Sequence, residues 1–175
     1  RMLALYLAIC FLFCPPAALG EQSGQESNAR EKLEAFGIFR EEAISQNLTR
    51  GELARYALRI AGATSEQMDG GAMPFVDVAP DDSDAGSILG AYHMGLMEGT
   101  DETHFEPDSP VDAAMLAKVM VSVAGYGPMA RQQGGYPTGY LMVAAQLGIL
   151  EDVSGGDSVS AQQAERAFLK TLESP

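Results

Sequence analysis

The hydrophobic positions recur in three segments with the spacing of one face of an α-helix. Each segment follows an apolar residue and a small polar residue, at Leu48-Thr49, Val111-Asp112 and Val159-Ser160. Counted from the small polar residue, apolar residues fall at positions +4, +7, +8, +11 and +12, with Thr171 as the polar exception. This spacing is typical of an amphipathic helix packed on a core. Thr, Asp and Ser are strong helix N-caps, because the side-chain oxygen accepts a backbone N–H.

A second helix is predicted before each of these segments, and each ends at a glycine. The strings around the glycines are similar: Phe36-Gly37-Ile38-Phe39, Met94-Gly95-Leu96-Met97 and Leu147-Gly148-Ile149-Leu150. Glycine suits the left-handed conformation that often ends a helix. The predicted early helices are residues 28–36, 84–94 and 138–147. The pattern therefore predicts three tandem helix-loop-helix repeats with a shared core, at residues 29–64, 72–126 and 134–173.

The beginning of the chain has a different character. An apolar run spans residues 3–13, which is too short to cross a bilayer, and small residues follow it up to Gly20. This predicts a secretory signal peptide at residues 1–20, then a short linker at 21–28. An uncleaved anchor and a lipoprotein anchor are the weaker alternatives. Cys10 and Cys14 both lie in this segment, so the mature chain is expected to be secreted, without disulfides and not bound to a membrane.

Composition narrows the classes of function. The chain has 175 residues, with 11 Lys or Arg against 24 Asp or Glu, and a net charge of -13. A surface this acidic repels phosphates, so no nucleic acid partner is expected. Six of the basic side chains lie in residues 21–59, where an anionic ligand is best tolerated. Two His and two Cys offer little to a metal, and no nucleophile stands beside a base. We expect neither an enzyme nor a cofactor.

Several strings resemble the S-layer homology (SLH) family. The first predicted repeat resembles the family at Leu48-Thr49-Arg50-Gly51-Glu52. The second resembles it at Phe75-Val76-Asp77-Val78, from Ala91 to Gly99, and at Phe105-Glu106-Pro107. The stretch from Gly125 to Gly148, which includes residues 134–140, resembles a variant of the family pattern. The resemblance covers about residues 30–173. Each string is short, and their order and spacing carry the resemblance.

The resemblance implies an all-α, pseudo-threefold helical bundle that anchors proteins to the bacterial cell wall. Its implied ligand is an acidic secondary cell-wall polysaccharide, linked to peptidoglycan and bound in grooves between repeats. The motif arginine is the family's contact with that anion. Here only Arg50 is present, because Ala113 and Ala161 take its place in the other copies. Alternatives are an SLH fold that serves as a structural or protein-interaction module, and the terminal module of a larger surface enzyme.

The candidate ligand-binding residues are Thr49, Arg50 and Glu52. Thr49 and Glu52 also have the spacing of a capping box, which explains both without a ligand. Arg50 is not explained in this way, since a helix N-terminus disfavours a cation. It is predicted either to contact the ligand or to be a solvated surface arginine. Candidate sugar-stacking residues, which can equally be core residues, are Tyr92, Tyr136 and Tyr140.

Overall fold

The structure, a computed structural model, describes residues 20–40, 43–64, 71–153 and 158–175, with side chains from residue 28 onward. Seven α-helices occupy this part of the chain: α1 (Gly20–Ala35), α2 (Arg50–Ile60), α3 (Ala85–His93), α4 (Ala113–Val123), α5 (Gly127–Gln132), α6 (Thr138–Gln146) and α7 (Ala161–Glu173). No β-sheet forms among these residues, so the all-α prediction is confirmed. Residues 1–19, which hold most of the predicted signal peptide, lie outside the described residues. None of the described helices combines the length and apolar character that a membrane crossing needs.

The three predicted N-caps are confirmed. Helices α2, α4 and α7 begin directly after Thr49, Asp112 and Ser160. Each cap side chain accepts a hydrogen bond from the backbone N–H three residues later. Full capping boxes form at the first and third of these caps. There the side chains of Glu52 and Gln163 accept a hydrogen bond from the backbone N–H of the cap residue. Met115 has no side-chain oxygen to accept the N–H of Asp112, so this cap has only the Asp112 half of a capping box.

The early helices match the prediction in two copies and differ in the first. Helices α3 and α6 lie within one residue of the predicted bounds. Helix α1, however, begins at Gly20, eight residues before the predicted helix start at residue 28. The segment contains Glu and Gln and has no proline or β-branched residue, so helix propagates through it. The short helix α5, which has Pro128 in its first turn, was not predicted.

The helices pack in pairs that join neighbouring segments of the chain. Helix α2 packs against α3, α4 packs against α6, and the first helix, α1, packs against the last, α7. Two ion pairs cross the α1–α7 contact: Arg30 Nη1 lies 3.0 Å from Glu165 Oε1, and Lys32 Nζ lies 3.3 Å from Glu173 Oε1. The described chain therefore closes on itself.

Three buried residues at equivalent positions before α2, α4 and α7 form a ring of backbone hydrogen bonds. The N–H of Leu48 donates to the carbonyl oxygen of Val159 at 2.8 Å. The N–H of Val159 donates to Val111 at 2.8 Å, and that of Val111 donates to Leu48 at 2.9 Å. Each of the three is at most 1% exposed. The three cap segments thus converge at one point in the core.

Candidate functional site

Arg50, the first residue of α2, is buried under the long loop of residues 98–108. Its side chain donates from Nε to the carbonyl oxygen of Phe105 at 2.7 Å and from Nη2 to that of Glu98 at 2.8 Å. Nη1 contacts Met115 Sδ at 3.2 Å. Arg50 is only 5% exposed, so the prediction of a solvated surface arginine is wrong. The carbonyl oxygens of the loop compensate for a cation in the first turn of a helix.

A cavity of about 380 Å³ adjoins this arginine. Its wall comes from the loop after α3, from one face of α4 and from the segment before α6. It is lined by Arg50, Leu96, Met97, Glu98, Gly99, Thr100, Met115, Lys118, Val119 and Tyr136. Its volume falls in the range of small-molecule sites, roughly 300–1,000 Å³, and it combines apolar walls with a few charged groups. We call it the Arg50 cavity.

Two cations and one carboxylate carry the charge of the Arg50 cavity. Lys118 Nζ lies 2.8 Å from Glu98 Oε2, and this hydrogen bond and the lysine charge lower the pKa of Glu98. Burial lowers the pKa of Arg50, while Glu106 and Asp77 raise it. A guanidinium keeps its proton in proteins, so Arg50 remains a cation. Lys118 Nζ also lies 5.8 Å from the ring centroid of Tyr136, whose residue is 53% exposed.

The loop of residues 98–108 is held by carboxylates and by a buried ring. Phe105 is fully buried and anchors the loop in the core. Asp77 accepts the backbone N–H groups of Phe105 at 2.9 Å and Glu106 at 2.7 Å. Burial raises the pKa of Asp77, but these N–H donors outweigh it, and the pKa lies below its ordinary value. The loop is therefore fixed at several points over Arg50.

Thr49 and Glu52 are engaged in the capping box. Glu52 Oε2 accepts the N–H of Thr49 at 3.0 Å, and its Oε1 accepts both the N–H and the hydroxyl of Ser45. The Thr49 hydroxyl oxygen accepts the N–H of Glu52 at 3.3 Å. Of the three predicted ligand residues, Arg50 alone lines the cavity.

The three candidate tyrosines have different surroundings. Tyr136 lines the Arg50 cavity and exposes half of its surface. Tyr92 is 41% exposed but lies outside that lining, with its ring edge-on to Phe75 at 5.3 Å between centroids. Tyr140 lies in the core and is 5% exposed, so it offers no stacking surface. Of the three, Tyr136 alone therefore presents an exposed ring to the Arg50 cavity.

The sequence interpretation missed Lys118 and Glu98. One signal was present in the sequence: a basic residue follows each N-cap by six positions, as Arg55, Lys118 and Arg166. In the structure each of them pairs with an acidic residue, respectively Asp84, Glu98 and Asp152. The pattern points to ion pairs at equivalent places on the three late helices.

Arg55 and Arg59 lie four residues apart on α2, and both have hydrogen-bond partners on neighbouring elements. Arg55 donates two hydrogen bonds to the carboxylate of Asp84, and the two side chains are 14% and 11% exposed. Arg59 Nη1 donates to the carbonyl oxygen of Ile38 at 2.9 Å. Both arginines face neighbouring elements, because α3 and the turn after α1 pack over their helix face.

A second cavity, of about 360 Å³, lies between α1 and α7. Its cations are each paired with an acidic residue: Lys32 with Glu173, Arg166 with Asp152 and Lys170 with Glu151. Its lining contains no aromatic residue. The Arg50 cavity differs from this second cavity in that it combines a buried guanidinium with an exposed aromatic ring.

Comparisons with known proteins locate one family within the chain. The family model of the S-layer homology domain matches residues 74–112. This segment contains Asp77, helix α3, the loop of residues 98–108 and the N-cap of α4. No curated protein matches the chain. Among the described residues, no cluster of His, Cys, Asp and Glu is arranged to hold a metal.

Proposed function

We propose that the chain is a cell-surface anchoring module with a specific ligand and site. Residues 74–112 match the family model of the S-layer homology domain, and such domains generally bind cell-wall polymers. The ligand is an acidic secondary cell-wall polysaccharide linked to peptidoglycan, and the site is the Arg50 cavity. One observation carries the proposal: a buried guanidinium lines a cavity that also holds an exposed tyrosine ring. The chain acts by binding, without catalysis and without a cofactor.

The geometry of Arg50 suits a carboxylate on the polymer. A guanidinium carries five N–H groups, and the three contacts of Arg50 use one each. Two N–H groups are left for an acceptor in the cavity. Those three contacts also hold the side chain in place before binding, so little rotamer entropy is lost when a ligand arrives. A charge-assisted hydrogen bond is stronger in such a partly desolvated place than in water.

The remaining lining suits a sugar ring. Tyr136 offers an aromatic face, and Lys118 lies beside that face. A pyranose stacked on Tyr136 would bring its acidic substituent near both cations. Although the chain as a whole is strongly acidic, salt screens charges more than about 10 Å apart at 0.1 M. The nearby cations Arg50 and Lys118 therefore contribute more to the binding of an anion than the distant acidic residues do.

A sedimentation experiment tests the proposal. Cell-wall sacculi that carry a carboxylated secondary polysaccharide are expected to retain the protein, and the same sacculi stripped of that polymer are not. Tyr136→Ala and Arg50→Gln should each reduce retention at least about tenfold, the effect of about 1.4 kcal/mol. Arg131→Gln is the matched control, because Arg131 is exposed and outside the cavity lining. Equal retention of wild type, Tyr136→Ala and a folded Arg50→Gln would overturn the proposed site.

We also propose three SLH-type repeats, at residues 29–64, 72–126 and 134–173, and export of the chain through residues 1–20. The ring of hydrogen bonds among Leu48, Val111 and Val159 and the three equivalent N-caps support the repeats.

The second candidate function is a structural or protein-interaction module without sugar affinity. The alanines at positions 113 and 161, where the motif arginine is missing, favour it. Failure of any acidic wall polymer to retain the wild-type protein would support this alternative. A third candidate, the terminal module of a larger surface enzyme, is tested by reading the flanking gene sequence.

A further inference from the structure

We infer that the Glu98 carboxylate occupies, in the free protein, the place on Lys118 that the carboxylate of the ligand takes on binding. Glu98 is thus a built-in competitor, and Lys118 is a second ligand-binding cation beside Arg50. This inference rests on the proposed function, because it concerns the same cavity and the same polymer.

The first support is that one residue contacts both cations. The backbone carbonyl oxygen of Glu98 accepts from Arg50 Nη2 at 2.8 Å, and its carboxylate lies 2.8 Å from Lys118 Nζ. All three residues line the same cavity. A carboxylate of the protein itself is therefore already paired with Lys118, the second cation of the Arg50 cavity.

The second support is the difference in exposure between the partners. The Glu98 side chain is 74% exposed, whereas that of Lys118 is 29% exposed and also lies against the Tyr136 ring. An exposed ion pair stabilises a protein weakly, so Glu98 can turn into solvent at little cost. Lys118 remains in place, because its methylene chain and ammonium lie along the cavity wall.

The third support is the chemistry of exchange. A ligand carboxylate that displaces Glu98 keeps the number of ion pairs on Lys118 unchanged. It gains in addition the contact with Arg50 and the stacking on Tyr136, which Glu98 does not make through its carboxylate. The ligand class that fits is a sugar with one carboxylate, since one carboxylate replaces another.

The test measures retention of the full chain on sacculi with the carboxylated polysaccharide. Glu98→Gln removes the competing charge and is expected to bind about two- to fivefold more tightly, the range for an exposed ion pair. Glu102→Gln is the matched control, because Glu102 is an exposed carboxylate of the same loop outside the cavity lining. It removes the same charge, so its effect gives the long-range contribution to be subtracted.

A substitution of Lys118 provides the second part of the retention experiment. Lys118→Gln is expected to weaken binding, and in that background Glu98→Gln should have no effect beyond that of Glu102→Gln. A carboxylate that merely positioned Lys118 would give the opposite sign, so weaker binding by Glu98→Gln overturns the inference. Unchanged binding by Glu98→Gln overturns it as well, while wild-type retention leaves the proposed function standing. Loss of retention in wild type and every variant overturns both.

Discussion

The guanidinium of Arg50 lies over the ring of Phe105, with Cζ 4.6 Å from the ring centroid, and its Nε donates to the carbonyl oxygen of the same residue. A residue at the start of α2 is thereby joined to a loop 55 positions later in the chain. The same side chain that is proposed to bind the polymer also holds the loop that forms one wall of its site. Binding and local stability are therefore coupled at this residue.

Substituting Arg50 by lysine separates charge from geometry. An ammonium keeps the positive charge but cannot reach both carbonyl oxygens, so at least one of Phe105 and Glu98 loses its donor. We expect the free energy of unfolding to fall by about 2 kcal/mol, measured by urea denaturation. Arg131→Lys, at an exposed position, serves as the control and should leave it unchanged. A stable Arg50→Lys protein would mean that the carbonyl contacts contribute little.

The buried pair of Arg55 and Asp84 joins α2 to α3. Arg55→Met leaves the Asp84 carboxylate buried without this partner and should cost about 3 kcal/mol of unfolding free energy. Adding Asp84→Leu removes that charge, and the double variant should recover most of the loss. Thermal or urea unfolding of the two single variants and the double variant gives the coupling energy. Additive losses would contradict the prediction, since residues in contact are expected to couple.

Neighbouring atoms leave no room for a side chain at Gly99. A Cβ at this position would lie 2.6 Å from the carbonyl oxygen of His104 and 2.7 Å from Cε1 of Phe75. Gly99→Ala should therefore cost about 2 kcal/mol and weaken polymer retention, because the loop must move. At Gly95, where φ is +66° and a Cβ meets no atom within 4 Å, alanine should cost only about 1 kcal/mol. Equal costs in urea unfolding would show that Gly99 is not held by its neighbours.

The stability of the loop of residues 98–108 should depend on pH through the ionisation of Asp101. The backbone N–H of Thr103, then the side chain of His104, lower the pKa of Asp101 to about 2, from an ordinary value of 3.8. A carboxyl group with a lowered folded-state pKa stabilises the fold above its unfolded-state pKa. This contribution is lost as the pH falls from about 4 to about 2. The thermal midpoint of Asp101→Asn should vary less with pH over this window than that of wild type, with Glu102→Gln as the control.

Local signals in the sequence predicted much of the fold. Thr49, Asp112 and Ser160 cap helices because capping depends on a few adjacent residues. Gly37, Gly95 and Gly148 adopt positive φ for the same local reason. The start of α1 was missed because its helix-forming residues lack the apolar spacing by which the other helices were recognised.

The candidate site was less predictable. Arg50 stood out as a cation at a helix N-terminus, but its burial depends on Phe105 and Glu98, which lie far along the chain. The pairing of Arg55 with Asp84 likewise depends on how α3 packs on α2. Lys118 carried a periodic signal, yet only the folded chain brings it to the cavity that contains Arg50. Tyr140 and Tyr136 look alike in sequence, and packing alone separates them.

The hydrogen-bonded ring of Leu48, Val111 and Val159 has a consequence during synthesis. The ring cannot close until residue 159 has left the ribosome, long after Leu48 has done so. Until then the incomplete hydrophobic core of the nascent chain is accessible to chaperones and proteases. The core is therefore expected to fold only after residue 159 has been synthesised, and a chain cut before Val159 is expected to remain unfolded.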